Sequence, residues 1–443
     1  MSVILKMHNK IKRKDFGTQV NKIISIIGLG CLAVSFVVAP SLFMGKVLSL
    51  MLVISVVYPI LKSLKTSDYH LTVLLAFMSS YVFVAVNYFW LGKHIVRNNP
   101  CEGIDTVFKV LQILSLFHFV LLYSLKFSKA RIERQLLLKE SNSLMFVFLI
   151  VISSIITIFG STGQSIFESG GYLETIQSRE SSSFFAYNLI PLSLAFIYAN
   201  TSMKRKVVFI AIALFCGKDL LFGGRVDTIQ LLLILFFIKY QYLWKKKKII
   251  LFAGIGVVFM SIWGDLRGNV DMSMIDIYIS LSKQYLDSNS AFDYQIGNAA
   301  DVYYASVRIL FLIKENILTF ELRIISFICF FLSVFVPFSY LPEVANLASF
   351  MQKDYWSGGG GLAPVFFYAF AGYIGVLAFS FLVSHCMNLY QNLKSSKFVR
   401  YYAILMLATT PRWYAYYPIQ IIKFCLIGTL IYYLIDRISK ENK

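Results

Sequence analysis

The chain has 443 residues, of which 58% are hydrophobic and only 15% are charged, and its mean hydropathy is +0.68. A water-soluble fold of this length needs far more polar covering, so lipid must act as the solvent for much of its surface. The formal charge of +19 sits in short clusters between apolar runs rather than on one basic face. This distribution argues against nucleic acid as the partner and indicates an orientation signal, with some attraction to anionic lipid headgroups.

About twelve apolar stretches are long enough to cross, as α-helices, a hydrocarbon core roughly 30 Å thick. We therefore predict an all-α polytopic membrane protein with about 12 transmembrane helices, in a single integral membrane domain that covers residues 1–443. The predicted spans are 22–39, 42–61, 69–91, 106–125, 143–160, 182–200, 206–222, 226–243, 249–264, 363–389, 399–415 and 419–436.

Lysine clusters follow every second predicted helix, and lysine and arginine collect on the cytoplasmic side of membranes. If the N-terminus is cytoplasmic, every predicted inside loop is basic, including the lysine run at residues 245–248, and the C-terminus is also cytoplasmic. The long segment 265–362 then becomes one large external (periplasmic) loop, which we expect to carry short or re-entrant helices. The basic first 20 residues precede no convincing cleavage site, which favours a retained first helix over a signal peptide.

Residues 323–341 are apolar enough to span the membrane, but a single extra span would reverse the last three helices against their lysines. Two solutions remain open. The segment is either a re-entrant or interfacial helix broken at Pro337, or it pairs with about 301–318 as a hairpin and raises the count to fourteen spans. We favour the first, because irregular backbone at membrane depth is tolerated where protein or water covers it.

Arginine rather than lysine dominates the predicted outside segments. The planar guanidinium suits bidentate binding of phosphate or carboxylate, so several outward arginines would make a site for a lipid diphosphate. The competing interpretation is ordinary snorkelling of long side chains towards headgroups. The candidate arginines are Arg225, Arg267, Arg308, Arg323 and Arg412.

Two of these arginines stand in distinctive surroundings. Arg225 follows a glycine pair that opens a helix, where the helix N-terminus favours an anion beside the guanidinium. Arg412 follows Pro411 in a predicted outward turn rich in aromatic residues, which are either interfacial anchors or stacking platforms for sugar rings. Those aromatic residues are Trp413, Tyr414, Tyr416 and Tyr417, and Tyr416 is the candidate glycan contact.

The long loop supplies many carboxylates for a general base. Asp265 stands where a helix leaves the membrane and Glu343 lies further along, and these two are the candidate catalytic acids. The chain contains no Asp-x-Asp pair and no P-loop, so we expect neither a metal-bridged nucleotide-sugar site nor ATP hydrolysis, and no metal or cofactor. The glycine-rich run at residues 358–364 is a flexible turn that leads into a helix.

Three segments together resemble the bacterial oligosaccharide repeat-unit polymerases, the Wzy-type O-antigen and capsule polymerases. They are GGRVDTIQLLLILFF, VPFSYLP followed by SGGGGLAPVFFYAFAGYIG, and TPRWYAYYP. The resemblance implies a metal-independent glycosyltransferase of the bacterial inner membrane that joins undecaprenyl-diphosphate-linked repeat units. The implied partners are that lipid-linked glycan, membrane lipid and a chain-length regulator protein, with no nucleic acid.

The chain departs from this family in one respect, and two other functions stay open. Many members carry an acid in the helix after the glycine-rich run, where this chain has Phe366, Phe367 and Tyr368. O-antigen ligases share the layout but use a loop histidine, which the long loop here lacks. A flippase for the same lipid-linked units would need ionisable residues within the membrane. The few candidates for such residues are Lys109, Lys218 and Lys423.

Overall fold

A computed structural model of the chain describes residues 2–96, 101–126, 143–160, 184–221, 225–241, 246–266, 293–295, 297–354, 360–392 and 395–441. Within these residues the fold is all-α and holds no β-strand. Six of the helices are long and apolar enough to cross a membrane. The chain is therefore an all-α membrane protein, as its composition predicts.

The described residues form sixteen α-helices. In chain order they are α1 (Ser2–Val37), α2 (Leu42–Thr66), α3 (Tyr69–Leu91), α4 (Ile104–Ser124), α5 (Ser143–Phe159), α6 (Leu189–Tyr198), α7 (Ser202–Leu221), α8 (Val226–Leu235), α9 (Lys246–Leu266), α10 (Asn298–Lys314), α11 (Phe320–Leu332), α12 (Leu347–Asp354), α13 (Ala363–Gln391), α14 (Lys397–Ala408), α15 (Thr410–Ala415) and α16 (Ile419–Glu441). A π-helical turn, Phe236–Tyr240, extends α8, and a 3₁₀ turn, Phe184–Asn188, precedes α6.

Within the described residues, each apolar stretch predicted as a span contains helical structure, and for α3 the predicted and observed bounds are the same. By length and hydropathy the candidate spans among the described residues are Thr18–Val37, Leu42–Thr66, Tyr69–Leu91, Ile104–Ser124, Ala363–Gln391 and Ile419–Ser439. The helices Ser143–Phe159 and Phe184–Tyr198 are apolar but shorter.

The chain divides into two compact units. Unit 1 comprises Met1–Arg131, Phe292–Ser395 and Thr409–Lys423, and unit 2 comprises Ile132–Ala291, Ser396–Ala408 and Phe424–Lys443. In unit 1, helix α4 buries sixteen of its 21 residues and packs against α1, α2, α10 and α13. A helix that is apolar on every side is expected at the centre of such a bundle.

Small residues permit close helix packing in unit 1. A Cβ added at Gly45 of α2 would lie 2.1 Å from the Phe89 ring of α3, and one at Gly28 of α1 would lie 2.6 Å from the Phe119 ring of α4. Gly30, two residues further along α1, has no heavy atom within 4 Å of its ideal Cβ position. Helices in lipid associate largely through such van der Waals contact, which small residues make possible.

The ambiguous segment 323–341 forms α11 and the turns that follow it. With 13 residues, α11 is about 20 Å long at 1.5 Å per residue, which is shorter than a full membrane crossing. It ends at Leu332, before Pro337, and a 3₁₀ turn follows at Phe338–Tyr340. Its outer face exposes Ile324, Ile328 and Phe331. Residues 323–341 therefore do not form one continuous helix of full membrane-crossing length.

Helix α13 is discontinuous. Ala371 has φ −140° and ψ 24°, and Gly372 has φ 61° and ψ −150°, so the helical hydrogen bonding stops between two half-helices. The Phe367 and Phe379 rings, which lie on either side of the break, stack with their centroids 4.2 Å apart. The two half-helices therefore fold against each other, and a glycine supplies the left-handed conformation that the turn requires.

In unit 2, helix α6 is completely buried, and α7 ends in a pair of opposite charges that serve neighbouring helices. Lys218 donates to the carbonyls of Thr157 and Ile158 at 2.7 and 3.0 Å, at the C-terminal end of α5. Asp219 accepts from the backbone N–H and the hydroxyl of Thr228 at 3.0 and 2.8 Å, in the first turn of α8. Each charge matches the dipole of the helix end that it meets.

Substituting Gly45→Ala tests the close packing of α2 and α3. Because the new methyl group would overlap the Phe89 ring, we expect the free energy of unfolding to fall by about 1–3 kcal/mol. The measurement is the thermal midpoint of the detergent-purified protein, followed by size-exclusion chromatography. Gly30→Ala, which places the same group in open space within an apolar helix, should leave that midpoint unchanged. Equal shifts in the two variants would contradict this account.

Candidate functional site

In unit 1 two segments that are far apart in sequence meet on helix α10. The Gly361 N–H donates to the Ala415 carbonyl at 3.2 Å, and the Leu362 N–H donates to the Ser306 hydroxyl of α10 at 2.8 Å. The Tyr416 hydroxyl donates to Asn298 Oδ1, at the start of α10, at 3.1 Å. We call the contact of residues 360–362 with residues 415–416 the glycine–tyrosine junction.

The glycines of the junction are required by space as well as by backbone conformation. Gly360 has φ +84°, and a Cβ there would lie 2.5 Å from the Ala415 carbonyl oxygen. Gly361 has φ +154°, and its Cβ would lie 2.9 Å from the Phe366 ring. The sequence predicted a flexible turn at this run, but these two residues form a closely packed, hydrogen-bonded contact.

Most of the aromatic residues beside Arg412 are buried. Trp413 and Tyr414 have no exposed surface, and Tyr417 is nearly covered. Tyr414 lies 3.2 Å from His118 Nε2, hydroxyl to ring nitrogen, and Tyr417 donates to the Ala345 carbonyl at 2.8 Å. These three side chains are therefore core residues and are not available as interfacial anchors or sugar platforms. Tyr416 is half-exposed and remains a candidate glycan contact.

Polar side chains line one face of α10 beside the junction. Asn298, Asp301, Tyr304 and Arg308 follow one another at spacings of three, three and four residues, which places them on the same side of a helix. Asn298 is exposed, whereas Asp301 and Arg308 are half-buried. The face extends from the junction towards the loop that contains Cys101. We call it the polar face of α10.

Arg308 occupies the far end of this polar face. Its Nη1 donates to the Cys101 sulfur at 3.4 Å and to the Tyr304 hydroxyl at 3.3 Å. Its buried Nε has no hydrogen-bond partner among the described residues, and no described carboxylate forms an ion pair with it. A half-buried guanidinium that keeps free donors and lacks a counter-ion is suited to receive an anion.

Asp301 is the carboxylate of the polar face. Burial raises the pKa of Asp301 above its ordinary value. Its side chain makes no hydrogen bond to any described residue, and it lies seven residues from Arg308, about 10.5 Å along the helix axis. Glu343, one of the two predicted catalytic acids, is exposed at the start of a 3₁₀ turn, Glu343–Ala345. The environment of Asp301 is therefore closer to that expected of a general base.

Arg323 lies at the break in α13. Its Nε donates to the Ala369 carbonyl and its Nη2 donates to the Tyr368 carbonyl at 3.3 Å. These are carbonyls at the end of the first half-helix, which lose their helical partners where α13 stops. Arg323 was predicted to bind phosphate, but two of its N–H groups stabilise the fold instead.

The remaining predicted site residues are placed as follows. Arg412 is half-buried in α15, in unit 1. In unit 2, Arg225 directly precedes α8, and Asp265 lies in the last turn of α9. The Thr228 N–H of α8, where an anion was predicted to bind, already has the Asp219 carboxylate. Arg267 lies outside the described residues.

The described residues contain no group of three or more histidine, cysteine, aspartate or glutamate side chains placed to hold a metal ion. The chemistry that this arrangement offers is electrostatic and acid–base. An anion would be received by Arg308, and a proton would be accepted by Asp301. A search of known protein families, of curated proteins and of solved structures finds no match to this chain.

The sequence did not single out Asp301 or Asp219. Asp301 was one acid among many in the long loop, and only its spacing from Tyr304 and Arg308 distinguishes it. Asp219 stands within an apolar stretch just before the glycine pair at residues 223–224, where its role as a cap of α8 depends on a contact between helices. The helical period would have indicated the first residue, but no local signal indicates the second.

Substituting Gly360→Ala tests the glycine–tyrosine junction. A left-handed conformation costs any residue with a Cβ roughly 1–2 kcal/mol, and the contact with the Ala415 carbonyl should add about 1–3 kcal/mol. Gly92→Ala is the matched control, because Gly92 also has a left-handed φ of +67° but no atom within 4 Å of its Cβ position. The thermal midpoint of the purified protein should fall further for Gly360→Ala. Equal losses would show that the junction contact contributes nothing.

Proposed function

We propose that this chain is a metal-independent polymerase that joins undecaprenyl-diphosphate-linked oligosaccharide repeat units into O-antigen or capsular polysaccharide. The proposal rests on one observation above the others. The glycine-rich segment and the proline–arginine–aromatic segment, two of the three that carry the resemblance to Wzy-type polymerases, are in contact. Beside them lies a polar face with a half-buried acid and an arginine that has no counter-ion among the described residues.

The reaction assigns a role to each end of that face. The acceptor hydroxyl of one lipid-linked unit attacks the anomeric carbon of the growing chain, and the bond from that carbon to the diphosphate oxygen breaks. The diphosphate leaves with the bonding electrons, and Arg308 stabilises its charge, with Arg412 as a further candidate. Asp301 accepts the proton of the attacking hydroxyl. Tyr416 is positioned by Asn298 to contact the glycan.

The proposal includes the membrane arrangement predicted from the lysine pattern. It places about twelve spans in the bacterial inner membrane, both termini in the cytoplasm and residues 265–362 on the periplasmic side. The diphosphate-linked units would then be joined at the outer face. The partners would be the lipid-linked glycan, membrane lipid and a chain-length regulator.

A flippase for the same lipid-linked units is the alternative that a specific observation favours. Helix α13 is discontinuous, and broken helices are common at the substrate sites of transporters. Lys218 and Lys423, however, both bind backbone carbonyls, which gives them structural rather than transport roles. An O-antigen ligase remains a weaker alternative.

A bacterial strain lacking this gene distinguishes the alternatives. If the chain is the polymerase, its surface glycan should carry single repeat units, because transport and ligation continue while chain growth stops. The measurement is a gel of extracted surface glycan, compared with the complemented strain. Loss of all repeat units from the surface would contradict the polymerase and support the flippase or ligase.

Substituting Asp301→Asn separates catalysis from stability. The pKa of Asp301 is raised in the folded protein, so its contribution to stability is complete at low pH and is lost as the pH rises through the folded pKa. The neutral asparagine should therefore leave the protein at least as stable as the wild type at neutral pH. Loss of a general base should lower the polymerisation rate by about 10²–10⁴-fold.

The readouts are the thermal midpoint and the rate of polymer formation from lipid-linked units, both measured against pH. The wild-type rate should fall as the pH drops through the raised pKa of Asp301, because the base must be ionised to accept a proton. Glu343→Gln is the matched control, since it removes one carboxylate charge from the same unit. A loss of rate confined to Glu343→Gln would assign the base to Glu343 instead.

A further inference from the structure

Lys109, Lys218 and Lys423 are the candidates for charges within the membrane, and two of them have evident structural partners. Lys218 donates to the last carbonyls of α5, and Lys423 donates to the Ser333 carbonyl at the end of α11 at 2.8 Å. Lys109, in the second turn of α4, has neither a carbonyl nor a carboxylate partner among the described residues. A lysine near the end of an apolar helix either extends to the membrane interface or meets an anionic partner.

The neighbours of Lys109 are aromatic. Its ammonium lies 4.8 Å from the ring centroid of Tyr373 and 5.6 Å from that of Tyr368. The two tyrosine rings are 5.0 Å apart, centroid to centroid. The Tyr373 hydroxyl is buried and has no hydrogen-bond partner among the described residues. The rings stabilise the ammonium group of Lys109, but they carry no negative charge to balance it. The Tyr373 hydroxyl also keeps an unused donor.

Arg323 brings a second positive charge to the backbone of Tyr368. It binds the backbone carbonyls of Tyr368 and Ala369 with two of its N–H groups, which leaves three of the five that a guanidinium carries. No ion pair joins Arg323 to a described acid. Tyr368 thus connects two cations, and neither has an acidic counter-charge within the described part of the chain.

The surface beside this cluster is apolar and exposed. Phe36 packs edge-on against Tyr373 with 5.1 Å between ring centroids and is itself 48% exposed, while Val37 is 88% and Ile374 is 76% exposed. Phe36 and Val37 are the last residues of α1, and Lys109 is near the start of α4. Lys109 therefore lies near the ends of two candidate membrane spans, which is the level where lipid headgroups are found.

We propose that Lys109, Tyr373 and Arg323 form a binding site for the phosphate group of an anionic membrane lipid. The lysine provides a point charge, the tyrosine hydroxyl and the guanidinium donate hydrogen bonds, and the acyl chains lie against Val37 and Ile374. The site shares no residue with the polar face of α10 and does not depend on the polymerase function. Its ligand is a resident lipid rather than free phosphate, because apolar side chains border the cations.

Lipid binding by the full-length purified protein tests this site. In nonionic detergent, native mass spectrometry measures how much phosphatidylglycerol and how much phosphatidylcholine each variant retains. The wild type should prefer the anionic lipid. Lys109→Gln should weaken retention of phosphatidylglycerol by about tenfold, as expected for loss of one charge-assisted contact. Tyr373→Phe keeps the ring and removes only the hydroxyl, so it should give a smaller loss.

Lys46→Gln is the matched control. Lys46 also lies over an aromatic ring, that of Trp90, at 5.8 Å, but it is not part of the proposed site, so this variant should retain lipid as the wild type does. Unchanged retention in both Lys109→Gln and Tyr373→Phe, or an equal loss in Lys46→Gln, would overturn the site. Displacement of the lipid by millimolar inorganic phosphate would also overturn it, since free phosphate would then be the ligand.

Discussion

The structure depends on one constraint: backbone polar groups at the ends and breaks of apolar helices must be satisfied by the protein itself. In water these groups bind solvent, whereas in lipid each unsatisfied group costs several kcal/mol. Here charged side chains supply the missing partners. Lys218 and Asp219 serve opposite helix ends in unit 2, and Lys423 serves the end of α11. The sign of each charge agrees with the helix dipole that it meets.

The same constraint explains how irregular backbone is kept in unit 1. The break in α13 frees carbonyls, and Arg323 binds two of them. The end of the glycine-rich run is buried, and its N–H groups donate to the Ala415 carbonyl and the Ser306 hydroxyl. Because both irregular segments are held by specific hydrogen bonds, they are defined parts of the fold, which is a condition for positioning a substrate.

Charged side chains without such a structural role are the candidates for ligand binding. Lys218 and Lys423 are explained by helix ends, and Arg323 is explained in part. Arg308 and Asp301 on the polar face of α10 are not, and neither is Lys109 of α4, which lies over Tyr368 and Tyr373 of α13. A half-buried charge without a counter-ion among the described residues is costly, and both of our proposals supply a ligand that compensates it. The two proposed sites, one for the reaction and one for a resident lipid, are different sets of residues.

The sequence by itself determined that the fold is all-α, that lipid surrounds much of its surface, and where the long apolar helices lie. These depend on apolar content and on the length of apolar runs, which are local properties. Only the tertiary structure decided the break at Gly372, the burial of Trp413 and Tyr414, and the cap formed by Asp219. It also decided which arginine remains available to a ligand, because Arg323 meets its carbonyl partner across 46 residues of sequence and Tyr416 meets Asn298 across 118. Residue type and period describe a helix and its faces, but the partner of a charge is set by packing between helices.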